Sequence, residues 1–177
     1  MEASILRGIH AHASPFLDGL FILSHQLGIF WFCAPLVLAV ALWHRSRGET
    51  RAARVWILAG LSTWLIQELV KRVVARPRPE LWPRLVATAS FSFPSGHALA
   101  SATLYPLLAW DLTRARPRGV RIAALAAAAA LSLFIGFGRL YLGVHWPTDV
   151  AAGWIIGAVQ AVLAIRRLEC YARPRSS

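Results

Sequence analysis

Five apolar stretches, approximately residues 27–43, 55–74, 98–112, 120–137 and 150–165, divide this chain, with short arginine-rich segments between most of them. A soluble core has no room for so many consecutive apolar residues in 177 positions, 57% of them hydrophobic. Crossing a bilayer interior takes about 20 mostly apolar residues, fewer when flanking side chains snorkel, so each stretch reads as a membrane-spanning helix. The expected fold is all-α: one polytopic membrane helical bundle of about five spans over residues 1–177. Residues 1–26 mix Ile5, Leu6, Ile9, Phe16, Leu17, Leu20 and Phe21 with three histidines and Asp18. That mixture predicts an amphipathic helix or helix pair lying in the interface, and six spans if residues 15–26 dip further in. The segment lacks the ordered regions of a cleaved signal peptide.

Three polar clusters stand at the ends of these stretches. Lys71 precedes Arg78-Pro79 as K-x6-R-P; Pro94-Ser95-Gly96-His97 follows; Arg139, His145 and Asp149 form R-x5-H-x3-D. Phosphoryl transfer needs neutralised nonbridging oxygens, an in-line nucleophile and a proton for the leaving oxygen. Lys71, Arg78 and Arg139 meet the first need, the arginines as planar forks and the lysine as a point charge. Ser95 is placed to cap the helix that follows, and Gly96 lets backbone approach a ligand, so the helix start reads as an anion site. His145 and Asp149, four apart, share one face if both are helical, and Pro147 suits a first turn. Two histidines and a carboxylate can ligate zinc, but three cations converging on the same place would repel a divalent ion, so no metal is expected.

Taken together, in this order, the clusters resemble the type 2 phosphatidic acid phosphatase (PAP2) superfamily, the metal-independent lipid phosphatases and vanadium haloperoxidases. The resemblance covers residues 71–149 and implies that His145 is the nucleophile that becomes phosphohistidine. It implies further that Asp149 holds the tautomer of His145 and that His97 protonates the leaving oxygen, then activates water. The implied substrate is a lipid phosphate or diphosphate, with undecaprenyl diphosphate as the first choice because so little chain remains to read a large head group. Phosphatidylglycerophosphate, phosphatidic acid and the phosphate of lipid A stay open, and no cofactor is implied. Gly138 stands where the family usually has serine before the third-cluster arginine. Against a vanadium peroxidase stand the five apolar spans; a lipid-phosphate carrier would not need His145 and Asp149 at catalytic spacing.

The net charge of +11 does not point to nucleic acid, because the arginines sit in runs between apolar stretches rather than along one face. Twelve of the 19 cationic residues fall at 44–54, 113–121 and in a basic tail from Arg166. The positive-inside rule makes that side cytoplasmic and puts the three clusters on the extracytoplasmic face, in a bacterial inner membrane by expectation. Arg72, Arg76 and Arg84 read as a snorkelling collar. Glu68, one turn before Lys71, is expected to pair with it or another cluster cation. Asp111 and Arg114 are expected to form a structural ion pair, Trp82 in the 79–93 loop is a candidate lid, and Cys33 and Cys170 lie too far apart for a disulfide.

Overall fold

The computed structural model describes residues 1–88 and 90–172, which form seven helices and no strand. In order they are α1 (Glu2–His10), α2 (Pro15–Gly28), α3 (Phe30–Ser46), α4 (Thr50–Val74), α5 (Gly96–Thr113), α6 (Arg118–Tyr141) and α7 (Pro147–Ala172). The third and fifth apolar stretches were short; as helices α5 and α7 they gain cluster residues at one end. By length and composition α6 and α7 can cross a membrane, and α2 with α3, bent by 44° at Ile29, qualify as a third element. Helices α4 and α5 do not. Helix α4 carries Arg51, Arg54, Glu68, Lys71 and Arg72, and α5 carries His97 and Asp111. Helix α5 tolerates its polar residues because other helices surround it: Ser101 and Thr103 are fully buried.

Helix α5 is the hub, packed against α7, α6 and α4. Close approach of α5 and α7 depends on Gly153 and Gly157. A Cβ at either would come within 2.7 Å of the carbonyl oxygen of Ser95 or 2.5 Å of that of Leu99. Where lipid removes the hydrophobic drive between helices, such small residues let dispersion contacts and interhelical hydrogen bonds hold them. Thr103 Oγ1 of α5 accordingly lies 3.3 Å from Gly157 O of α7, while within α5 it donates to Leu99 O at 2.9 Å.

Residues 1–26 fold as the helix pair, α1 and most of α2, rather than one helix. Pro15 opens α2 and the Ser14 hydroxyl accepts from Leu17 N, so this start is locally encoded. Helix α2 does not lie free in an interface: its Phe21, Ser24 and Gly28 are buried, chiefly against α6 and α5. Phe21 packs on Tyr141 with centroids 4.5 Å apart, and Tyr141 Oη donates to Asp18 at 2.6 Å. Helix α1 crosses the ends of α6 and α7 with Leu6 wholly buried. Arg166 and Arg167 continue α7 instead of starting a tail, while Arg173 and Arg175 lie outside the described residues.

Candidate active site

One end of the bundle gathers the three clusters. Helix α4 stops at Ala75, which takes a left-handed conformation, and the chain then leaves through Arg76-Pro77-Arg78-Pro79. Buried Lys71, in the last turn, donates to Ser90 Oγ at 3.0 Å. The Arg78 fork is fixed by carbonyls: Nε donates to Ser90 O at 2.6 Å, Nη1 to Val144 O at 2.7 Å and Nη2 to Phe91 O at 3.2 Å. Its Nη1 also stands 3.1 Å from His145 Nε2. Burial, then the neighbouring Arg84, pull Arg78 down to about 10, which leaves it charged at neutral pH.

His145 sits in the turn after α6, not on α7, so the shared helix face expected from i, i+4 spacing is corrected. Asp149 in the first turn of α7 reaches back instead. Its Oδ2 accepts from Trp146 N at 2.8 Å, as in a capping box, and stands 3.5 Å from His145 Nδ1. Burial lowers the His145 pKa to about 4, with Arg78 and Lys71 pushing the same way and Asp149 opposing them. The imidazole is therefore neutral at physiological pH.

Ser95 occupies the N-cap of α5, but its hydroxyl caps nothing; it is buried and without a partner, while its backbone N–H donates to Asp149 O at 3.0 Å. Gly96 and His97 begin α5 and line a cavity of about 670 Å³. Arg139, at the end of α6, is 1% exposed; its Nη1 lies 2.7 Å from His25 Nδ1 and 3.5 Å from His97 Nε2, and its Nε and Nη2 have no partner. The polar end of the cavity is thus formed by Lys71, Arg78, Arg139, His25, His97 and His145. Away from them it runs between α3 and α4, past Phe30, Val37, Leu38, Ile57, Leu61 and Trp64.

A family model described as the PAP2 superfamily matches residues 51–169. The chain belongs to the PAP2 superfamily. A crystal structure from Bacillus subtilis, described as the first transmembrane PAP2 type phosphatidylglycerolphosphate phosphatase, superposes with a TM-score of 0.87 at 26% identity, covering 99% of this chain and 87% of that one. Phosphatidylglycerophosphatase B of Bacillus subtilis is 31% identical over 75% of this chain and 66% of its own length. Undecaprenyl-diphosphatase of Sulfolobus acidocaldarius is 27% identical over 85% of this chain and 70% of its own. The chain thus spans about two thirds of the length of these curated relatives.

Several side chains of this PAP2 chain stand elsewhere than the sequence implied. Arg76 is no mere collar: its Nη1 donates to Asp149 Oδ1 at 2.7 Å and its Nη2 to Glu2 Oε2 at 2.5 Å. Glu2 also accepts from Thr148 N at 3.0 Å, tying α1 to the start of α7. Burial would raise the Glu2 pKa, but the Thr148 and Arg76 hydrogen bonds outweigh it and hold the carboxyl below its usual range. Glu68 lines the cavity but forms no ion pair with Lys71 among the described residues, because Lys71 Nζ turns to Ser90. Trp82 is stacked on His10 at 3.9 Å instead of facing the cavity. A Cβ on Gly138 would meet Ser24 Oγ at 2.6 Å, so α2 places a hydroxyl where the family serine would begin. His25 and Glu2 escaped sequence reading: neither belongs to a spaced cluster, and each reaches the site across more than a hundred residues.

Proposed function

We propose that this protein is an integral-membrane phosphatase that hydrolyses a terminal lipid phosphate or diphosphate through a phosphohistidine. The observation that carries this reading is one cavity with two chemistries. Three motif cations and three histidines crowd its polar end, and the groove beyond is apolar enough for a lipid chain. Lys71, Arg78 and Arg139 take the phosphate oxygens, with the first turn of α5 at Ser95 and Gly96 offering backbone N–H groups. His145 Nε2 attacks phosphorus in line as the bond to the lipid oxygen breaks, and His97 supplies that oxygen's proton. His97, now neutral, takes a proton from water; the hydroxide displaces His145 and releases inorganic phosphate. Asp149 faces Nδ1 and fixes which nitrogen attacks, while Arg76 and Trp146 N hold Asp149. The cycle as written uses no metal or cofactor.

The bent α2–α3 element, α4, α5, α6 and α7 give five spans in this reading, with α1 on the surface. Arginine distribution then puts the site on the extracytoplasmic face of a bacterial inner membrane. Undecaprenyl diphosphate is the proposed substrate, since the 79–93 loop is the longest described connection and offers little to read a large head group. Phosphatidylglycerophosphate is the second reading, favoured by the superposition over 99% of this chain on a phosphatase so described. Phosphate release from a panel of lipid phosphates and diphosphates in detergent micelles, with chelator present, tests both. Release from none of them sinks the proposal, and preference for the phospholipid over the polyprenyl diphosphate selects the second reading.

A further inference from the structure

Arg139 is the most buried motif cation, and only one of its three nitrogens is anchored. Nη1 lies 2.7 Å from His25 Nδ1, while Nε and Nη2 have no partner. His25 belongs to α2, outside the three clusters and outside the matched residues 51–169. Its ring lies on that of His97, centroids 4.7 Å apart and planes 21° apart, and both line the polar end of the cavity. The turn that carries it is seated firmly: Ser24 and Gly28 are buried, and a Cβ at Gly28 would come within 2.7 Å of His97 Cδ2. A guanidinium only donates, so the Nη1–H fills the lone pair of His25 Nδ1, and the ring hydrogen is on Nε2.

We propose that His25 is a positioning residue of the phosphate site: it anchors Arg139 Nη1 so that the Nε–Nη2 edge faces the bound phosphate, and it braces the ring of His97. This rests on the lipid phosphatase reading. A guanidinium held at one corner presents its remaining donors without the entropy cost of choosing among rotamers, and a misplacement of about 1 Å at such a group costs roughly a hundredfold.

Three substitutions separate anchor from brace. His25→Asn keeps an acceptor near Nδ1 without the ring, His25→Phe keeps the ring without the acceptor, and His25→Ala keeps neither. Orthovanadate, a phosphate-like anion, is titrated into each purified protein in detergent, with thermal melting as a check on folding. Loss of a hydrogen bond to a charged group predicts binding weakened about tenfold or more in His25→Phe and His25→Ala. His25→Asn should bind within about threefold of the wild type, because its amide oxygen still accepts from Nη1. Binding by His25→Phe equal to the wild type overturns the proposal, and so does an Asn variant as weak as the Ala variant. KM for the lipid phosphate turned over by the wild type should follow the same order. A wild type that binds orthovanadate yet hydrolyses no lipid phosphate defeats the phosphatase reading alone, and the binding series still decides the role of His25.

Discussion

The two ends of α5 carry buried polar clusters of opposite design. At the end away from the motifs, His44 is fully buried with both ring nitrogens filled, Nδ1 by Glu49 at 2.7 Å and Nε2 by Asp111 at 2.6 Å. Trp56 Nε1 donates to Asp111 at 2.9 Å and Arg114 to Glu49 at 2.9 Å. The expected Asp111–Arg114 pair is present at 3.5 Å, within this larger network. At the motif end, Arg139 Nε and Nη2, Ser95 Oγ and His145 Nδ1 are buried without hydrogen-bond partners. An unsatisfied buried group costs about 1–3 kcal/mol; the far end leaves only Asp111 Oδ1 without a hydrogen bond, with Arg114 Nε 3.5 Å away, so it is nearly closed while the motif end is held open at a larger cost. His44 has both ring nitrogens engaged by carboxylates and does not line the cavity, whereas His145 lines it with Arg78 Nη1 3.1 Å from its Nε2. Polar clusters in one chain can thus be sorted by what they leave unpaired.

The contrast breaks most sharply at His145. Replacing it with alanine should abolish turnover of every substrate, a loss of at least about ten-thousandfold, with the melting temperature unchanged or raised. A melting temperature lowered by ten degrees would mean the motif end is stabilising after all. His97→Ala should lose roughly 10²- to 10⁴-fold on a lipid phosphate but much less on an aryl phosphate, whose leaving oxygen needs no proton. Rapid-quench rates of the first step compare the two, and equal losses remove the acid role. At the closed end, Asp111→Ala strands buried His44 and should destabilise the fold by about 3–5 kcal/mol in denaturant titrations. Activity per folded molecule should stay within about threefold, since the sites are distant.

Acid should affect the ends in different windows. The folded His145 pKa of about 4 lies below the ordinary 6.5 because of burial first and Arg78 and Lys71 beside it. Its contribution to stability is whole above the ordinary value and fades as pH falls from there toward 4, where only the unfolded chain takes up the proton. Burial would raise Glu49, but His44 and Arg114 outweigh it and hold the carboxyl below 4.5, so its share is lost only under more acidic conditions. Hydrogen exchange at intermediate pH should therefore quicken first around residues 142–149; earlier exchange around Glu49 would reverse the comparison. Exhaustive chelation should change turnover least of all, and restoration of lost activity by a divalent ion would refute the metal-free cycle.

The open end was the more legible one. Lys71, Arg78, His97, Arg139 and His145 were readable because each cluster lies within a few turns of chain, and the structure brings all three clusters to one cavity. Contacts made between remote elements were not readable: His25 on Arg139, Glu2 on Arg76, and Glu49 with His44 on Asp111. Local spacing also misplaced His145 on a helix, because the reach-back of Asp149 closes the same distance from a turn. Helices were legible from their apolar runs, but hydropathy does not count α4 and α5 as spans: α4 carries exposed arginines near its ends, Arg51, Arg54 and Arg72, and shelter by neighbours lets α5 keep polar residues that hydropathy penalises.

The most direct test of the phosphohistidine at His145 is to quench the wild-type protein milliseconds after mixing with a lipid phosphate labelled in its terminal phosphoryl group, and then to map the labelled peptide. The expected result is an acid-labile, base-stable phosphate on His145, formed before inorganic phosphate appears. Label on His97 or any other residue, or phosphate release with no labelled protein at any time, would contradict it.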